Sequence, residues 1–129
     1  MSTQADTLTV YTYAKCSTCR DAVRWLQSRE VEFVERAIRE TPPSVKELRA
    51  MLGFLGGAEA GALRKLFNSS GIEYRALGMA EKLPMLTEGE ALELLSKNGS
   101  LVKRPFVIGA NVGTVGFNEK RWGELLVGE

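Results

Sequence analysis

Two cysteines, Cys16 and Cys19, stand two residues apart in the run Lys15-Cys16-Ser17-Thr18-Cys19-Arg20, and the chain contains no histidine. Thiols at this spacing serve either as half of a tetrahedral zinc site or as a dithiol–disulfide couple. Zinc requires four ligands, and neither a second cysteine pair nor a histidine is available, so no metal is expected. The missing histidine also removes Cys-His and Ser-His nucleophile pairs and imidazole acid–base catalysis. Thiol chemistry is left, against the alternative that both cysteines are inert core residues, since cysteine is among the most often buried side chains.

The local pattern argues against inertness. Leu8 to Tyr13 alternates β-branched and aromatic residues and reads as a strand; after Cys16 the period changes, with Ala22, Val23 and Leu26 at helical spacing and Ser17 or Thr18 available as cap. Cys16 therefore sits where a strand ends and a helix begins. Free backbone amides and the helix dipole favour negative charge there, and Lys15 and Arg20 add positive charge nearby. Such positions lower a cysteine pKa from about 8.5 to roughly 3.5–7.5. Cys16 is the expected nucleophile. Cys19, one helical turn further in, is placed to attack a mixed disulfide on Cys16 and release the bound thiol.

The elements that must hold this pair follow in order. The first helix should run to about Arg29, and Val31 to Arg36 alternates again as a second, parallel strand. From Thr41-Pro42-Pro43-Ser44 a helical insert of about residues 42–99 begins, with Ser44 as cap and Val45, Leu48, Met51 and Leu52 as apolar stripe. Gly53, Gly56, Gly57 and Gly61 mark turns; Leu63, Leu66 and Phe67 resume a helix that Asn68-Ser69-Ser70-Gly71 closes. Ala91, Leu92, Leu94 and Leu95 place another helix near Glu88 to Asn98, which Asn98-Gly99 stops. Phe106 to Ile108, a turn near Asn111, and Val112 to Phe117 form a hairpin, and Asn118 caps a last helix carrying Trp122, Leu125 and Leu126. Trp25 and Trp122 read as packing residues. Gly113-Thr114-Val115-Gly116 reads as strand geometry, because no βα crossover follows it.

This βαβ, helices, ββα order predicts an α/β fold: a mixed sheet with helices on both faces. At 129 residues and 44% hydrophobic composition, residues 1–129 suit one domain. The 17 basic and 16 acidic side chains nearly cancel, so no global field for nucleic acid or an anionic membrane exists and any anion site must be local. No apolar run is long enough to cross a bilayer and Met1 to Asp6 is polar and acidic, so a cytoplasmic protein is expected.

Cys16-Ser17-Thr18-Cys19-Arg20 after a strand, with Lys103-Arg104-Pro105-Phe106-Val107-Ile108 far downstream, resembles the arsenate-reductase-like family that includes the Spx-type regulators. Thr41-Pro42-Pro43-Ser44, the run from Leu66 to Arg75, and Val115-Gly116-Phe117 extend the likeness over most of residues 8 to 127. The resemblance implies a thioredoxin-like (glutaredoxin-like) fold with a helical insert, and a cis-proline facing the cysteine, which falls on Pro105. It also implies a C-x-x-S-R loop with arginines holding an oxyanion; those roles map to Cys16, Arg20 and Arg104. Cys19 replaces the serine of that loop, which points to an internal disulfide where the reductases use glutathione and glutaredoxin. A second anion-binding arginine has only Arg64 and Lys65 as nearby candidates, and a third faces Gly116-Phe117.

Two functions follow from the resemblance. One is a thiol-dependent reductase acting on a small oxyanion or a disulfide, with no bound cofactor and glutathione/glutaredoxin or thioredoxin as electron donor. The other is a redox-switched regulator of the Spx type, a group that binds the RNA polymerase α subunit. The bland reading of Lys103 and Arg104 is a charged strand edge that discourages sheet pairing.

Overall fold

In a computed structural model, residues 7–57 and 61–128 are described; the polar, acidic stretch Met1 to Asp6 lies outside them. Four strands make one sheet in the order β2-β1-β3-β4. β1 (Leu8–Thr12) pairs in parallel with β2 (Phe33–Ala37), in a register that sets Leu8 opposite Phe33 and Thr12 opposite Ala37. β3 (Phe106–Ile108) runs antiparallel to β1, and β4 (Gly113–Val115) antiparallel to β3. A parallel pair needs a crossover, and α1 (Ser17–Ser28) supplies it.

β2 starts later than the Val31 that alternation indicates. Glu30 adopts a left-handed conformation (φ 57°), and Val31 donates its N–H to Leu26 O at 3.1 Å, so Val31 still belongs to the turn that ends α1. β4 is likewise shorter than Val112 to Phe117: Gly116 turns the chain out at φ 75° and donates its N–H to Pro105 O at 2.9 Å.

Side-chain alternation sorts the strands onto two cores. Leu8, Val10 and Val107 face α1 and α7 (Glu119–Leu126), where Ala22, Leu26, Trp25 and Trp122 are buried. Trp122 stacks edge-on against both Trp25 (5.8 Å) and Phe117 (4.8 Å), so both tryptophans are packing residues. Tyr11, Phe106 and Ile108 face the insert between β2 and β3. That insert comprises α2 (Val45–Phe54), α3 (Ala62–Lys65), α4 (Ile72–Ala76), α5 (Met79–Lys82) and α6 (Glu88–Lys97), with single 3-10 turns at Leu83–Met85 and Gly99–Leu101. Ser44 and Thr87 begin α2 and α6 with capping boxes, each side chain accepting from the third helical N–H while Glu47 or Glu90 accepts from the cap's own N–H. Gly53 does not interrupt α2 but lies in its last turn; the left-handed glycines Gly56 and Gly57 follow it.

Gly99 does something other than stop a helix. A β-carbon there would lie 1.8 Å from the backbone O of Ile38, so Gly99 lets the end of the insert pass directly over the residue that follows β2. Backbone on both sides leaves nothing flexible to yield. Gly99→Ala should cost about 3 kcal/mol, the upper range for overpacking. Urea unfolding followed by circular dichroism measures it; an unchanged midpoint would mean that the insert and the sheet end separate easily.

Candidate redox site

The loop after β1 is closed by Cys16 N–H donating to Tyr13 O at 3.0 Å. Cys16 then takes extended geometry (φ −99°, ψ 113°) and is itself the N-cap of α1, in place of the expected Ser17 or Thr18. Its Sγ accepts from Cys19 N–H at 3.3 Å and its carbonyl accepts from Arg20 N–H at 3.1 Å. Sulfur therefore fills the position a cap hydroxyl oxygen ordinarily holds. Ser17 and Thr18 fall inside the first turn and point into solvent. An N–H aimed at sulfur and the start of a 12-residue helix thus meet at one atom.

Cys19 differs in kind. It is 1% exposed, against the half-buried Cys16, and both are free thiols. Burial is the main cause that pushes the Cys19 thiol up to about 12. The hydrogen bond and the charge of Cys16 push it the same way, while the Tyr13 backbone and the positive charge of Arg104 pull against them. Arg104 is thus within electrostatic reach of Cys19.

The Arg104–Pro105 peptide bond is cis, and it leads directly into β3 beside β1. Arg104 Nη1 donates to Ser100 O at 3.2 Å, and its guanidinium lies 5.0 Å from the centre of the Tyr13 ring. Arg39 lies 5.1 Å from the same ring and donates from Nη1 to Tyr13 Oη at 3.0 Å. Tyr13 is therefore flanked by two cations, an arrangement that holds both forks near one place. A cavity of about 450 Å³ opens there, with Tyr13, Arg39, Arg104, Asn68, Ser100 and the carboxylate-bearing Glu73 in its lining.

The other expected anion ligands are arranged differently. Arg20 is exposed and turns back on its own loop, Nη1 donating to Ala14 O at 2.9 Å, on a separate cavity that Cys19 and Glu35 also line. Lys15 is exposed on the same loop. Arg64 does not join Arg104: with Lys65 it lines another cleft that shares no residue with the Tyr13 cavity, because α3 leaves their side chains facing β4 and α7. Arg39 was not legible in the sequence, where a charged residue after a strand is ordinary. Its signal is the register. Ile38 donates its N–H to Thr12 O at 2.8 Å, so the parallel pairing continues past β2 and carries Arg39 beside Tyr13. No group of three His, Cys, Asp or Glu side chains converges to hold a metal among the described residues.

A parallel βαβ start, an antiparallel hairpin, a cysteine capping the first helix and a cis-proline opening the third strand define a thioredoxin-like α/β protein. The chain belongs to the ArsC family, whose pattern matches residues 11–125. It is 44% identical to the uncharacterized protein YusI of Bacillus subtilis (strain 168), over 91% of this chain and 96% of that one. Its identity to the global transcriptional regulator Spx of Enterococcus faecalis is 35%, over 87% of this chain and 80% of that one. Among solved structures, an ArsC family related protein from Bacteroides fragilis superposes with a TM-score of 0.83 at 37% identity, covering 92% of this chain and 96% of its own.

Proposed function

We propose that the chain is a thiol-dependent oxidoreductase with Cys16 as nucleophile and Cys19 as resolving thiol. One observation carries the reading: the half-buried Cys16 Sγ caps α1 and takes the N–H of the residue whose own sulfur must next attack it. With a disulfide substrate, the Cys16 thiolate attacks one sulfur, forms a mixed disulfide and expels the other half as a thiolate. Cys19 then gives up its proton and attacks Cys16 Sγ; the bound thiol leaves and a Cys16–Cys19 disulfide forms, two electrons having passed to the substrate. A cytosolic thiol system, glutathione with glutaredoxin or thioredoxin, would return them. The cavity between Arg39 and Arg104 supports a small oxyanion as a second substrate class, since guanidinium forks donate pairs of charge-assisted hydrogen bonds.

Iodoacetamide labelling with peptide mapping tests the assignment. In the native protein near neutral pH, Cys16 should react at least ~10-fold faster than Cys19, which is buried and held protonated. Equal labelling, or Cys19 first, would reverse the roles. The 35% identity to Spx favours one other reading, a redox-switched regulator, in which the disulfide would alter a partner surface. Capture of the RNA polymerase α subunit by the oxidised but not the reduced chain would support that reading over catalysis.

A further inference from the structure

Lys103, immediately before Arg104, lines a different cleft, of about 770 Å³, at the ends of β4 and α3 and the start of α7. Arg64, Lys65, Lys103 and Arg121 surround it, over a wall that includes Phe117 and the buried Trp122, and among the described residues no aspartate or glutamate is part of its lining. The wall is fixed: Trp122 Nε1 donates to Gly116 O at 3.1 Å, and Gly116 N–H to Pro105 O at 2.9 Å.

Four cations of one sign stand out in a chain whose net charge is only +1. The ion pairs Arg24–Asp21 (3.4 Å), Arg49–Glu88 (3.9 Å) and Lys97–Glu93 (3.1 Å) all lie away from the cleft. Among the described residues none of the four charged groups of the cleft forms an ion pair or a hydrogen bond. A concave surface of one charge with an apolar wall concentrates field lines and raises the local concentration of counter-charge. Its size matches the range of small-molecule sites, roughly 300–1,000 Å³.

We propose that this cleft binds a small multivalent anion, a molecule carrying two or more carboxylate or phosphate groups, independently of the thiol site. Arg64 and Arg121 offer planar forks for an oxyanion group, and Lys65 and Lys103 offer point charges. The apolar wall would cover the body of the ligand.

Calorimetric titration of the full chain at low ionic strength, with pyrophosphate and with citrate in separate arms, tests this. Saturable one-to-one binding with a Kd of about 0.1–1 mM is expected in at least one arm, and the arm that binds distinguishes phosphate from carboxylate. Arg64→Ala with Arg121→Ala should weaken it roughly tenfold or more, whereas Arg24→Ala with Arg49→Ala, which removes equal charge elsewhere, should change it less than about twofold. Cys16→Ser should bind like the parent, so failure of the thiol reading would leave this result intact. No saturation in either arm, equal weakening by both double variants, or binding of an acidic polypeptide such as polyglutamate alone would overturn the proposal.

Discussion

Cys19→Ser should halt the chain at the mixed disulfide. With excess dithiobis-nitrobenzoate, a chromogenic disulfide, the parent should release two nitrothiolates per chain and end with the internal disulfide. Cys19→Ser should release one and retain the other on Cys16, and Cys16→Ser should release almost none while folded, because the remaining thiol is 1% exposed. Multiple turnover with a thiol donor should fall on the order of 100-fold in Cys19→Ser, the loss of a resolving group held at high effective concentration. A parent chain that releases only one nitrothiolate and keeps the other on Cys16 would show that Cys19 does not resolve the intermediate.

The pH dependence follows from the environment of Cys19. Burial is the largest cause of its raised value, and it remains after the first step; the hydrogen bond and charge of Cys16 disappear once that sulfur is in a mixed disulfide. Resolution should therefore become easier only after Cys16 has reacted, and should speed up about tenfold per pH unit while Cys19 is still mostly protonated. In the resting protein the folded value of about 12 exceeds the ordinary 9.0, so the unfolded chain releases this proton first. Stability from Cys19 is then complete below about pH 9 and is lost as pH rises towards 12. A Cys19→Ala chain should lack that alkaline slope in its urea midpoint.

Arg104→Ala should abolish protection of Cys16 by arsenate or sulfate against alkylation. Removing one charge-assisted hydrogen bond to an anion costs about 1.5–3 kcal/mol, a 10- to 100-fold loss of affinity. Arg104→Lys keeps the charge but not the fork and should fall between, and Arg39→Ala should weaken protection similarly. If both forks hold one oxyanion, the double variant should lose less than the sum of the singles. Protection unchanged in Arg104→Ala would reduce that residue to a solvated strand edge. The same variant removes a charge that lowers the Cys19 value, so resolution should also slow.

The strands and the longer helices were readable because each carries several turns or alternations of apolar residues: Leu48, Met51 and Leu52 in α2, and Ala91, Leu92 and Leu95 in α6, are all buried. Residues 72–87 were not readable. α4 and α5 are five and four residues long, shorter than the period that betrays a helix, and the left-handed Gly78 (φ 64°) resets the phase between Tyr74 and Met79. At the site, Cys16 and its place at a helix start could be seen. That the sulfur would cap the helix could not, because cap preferences rank oxygens and two hydroxyls follow directly. Arg39 was hidden for another reason: its neighbour Tyr13 is 26 positions away and is reached only through strand register.

Because Cys16 Sγ is both the reactive atom and the acceptor for the Cys19 amide, oxidation and the fraying of the first turn of α1 form two legs of one thermodynamic cycle. Whatever free energy the sulfur lends the helix start as an acceptor must be returned when that sulfur is drawn into a disulfide. The Cys19 amide should accordingly exchange its hydrogen faster in the oxidised chain, and a substitution that stiffens the start of α1 should make the cysteine pair harder to oxidise.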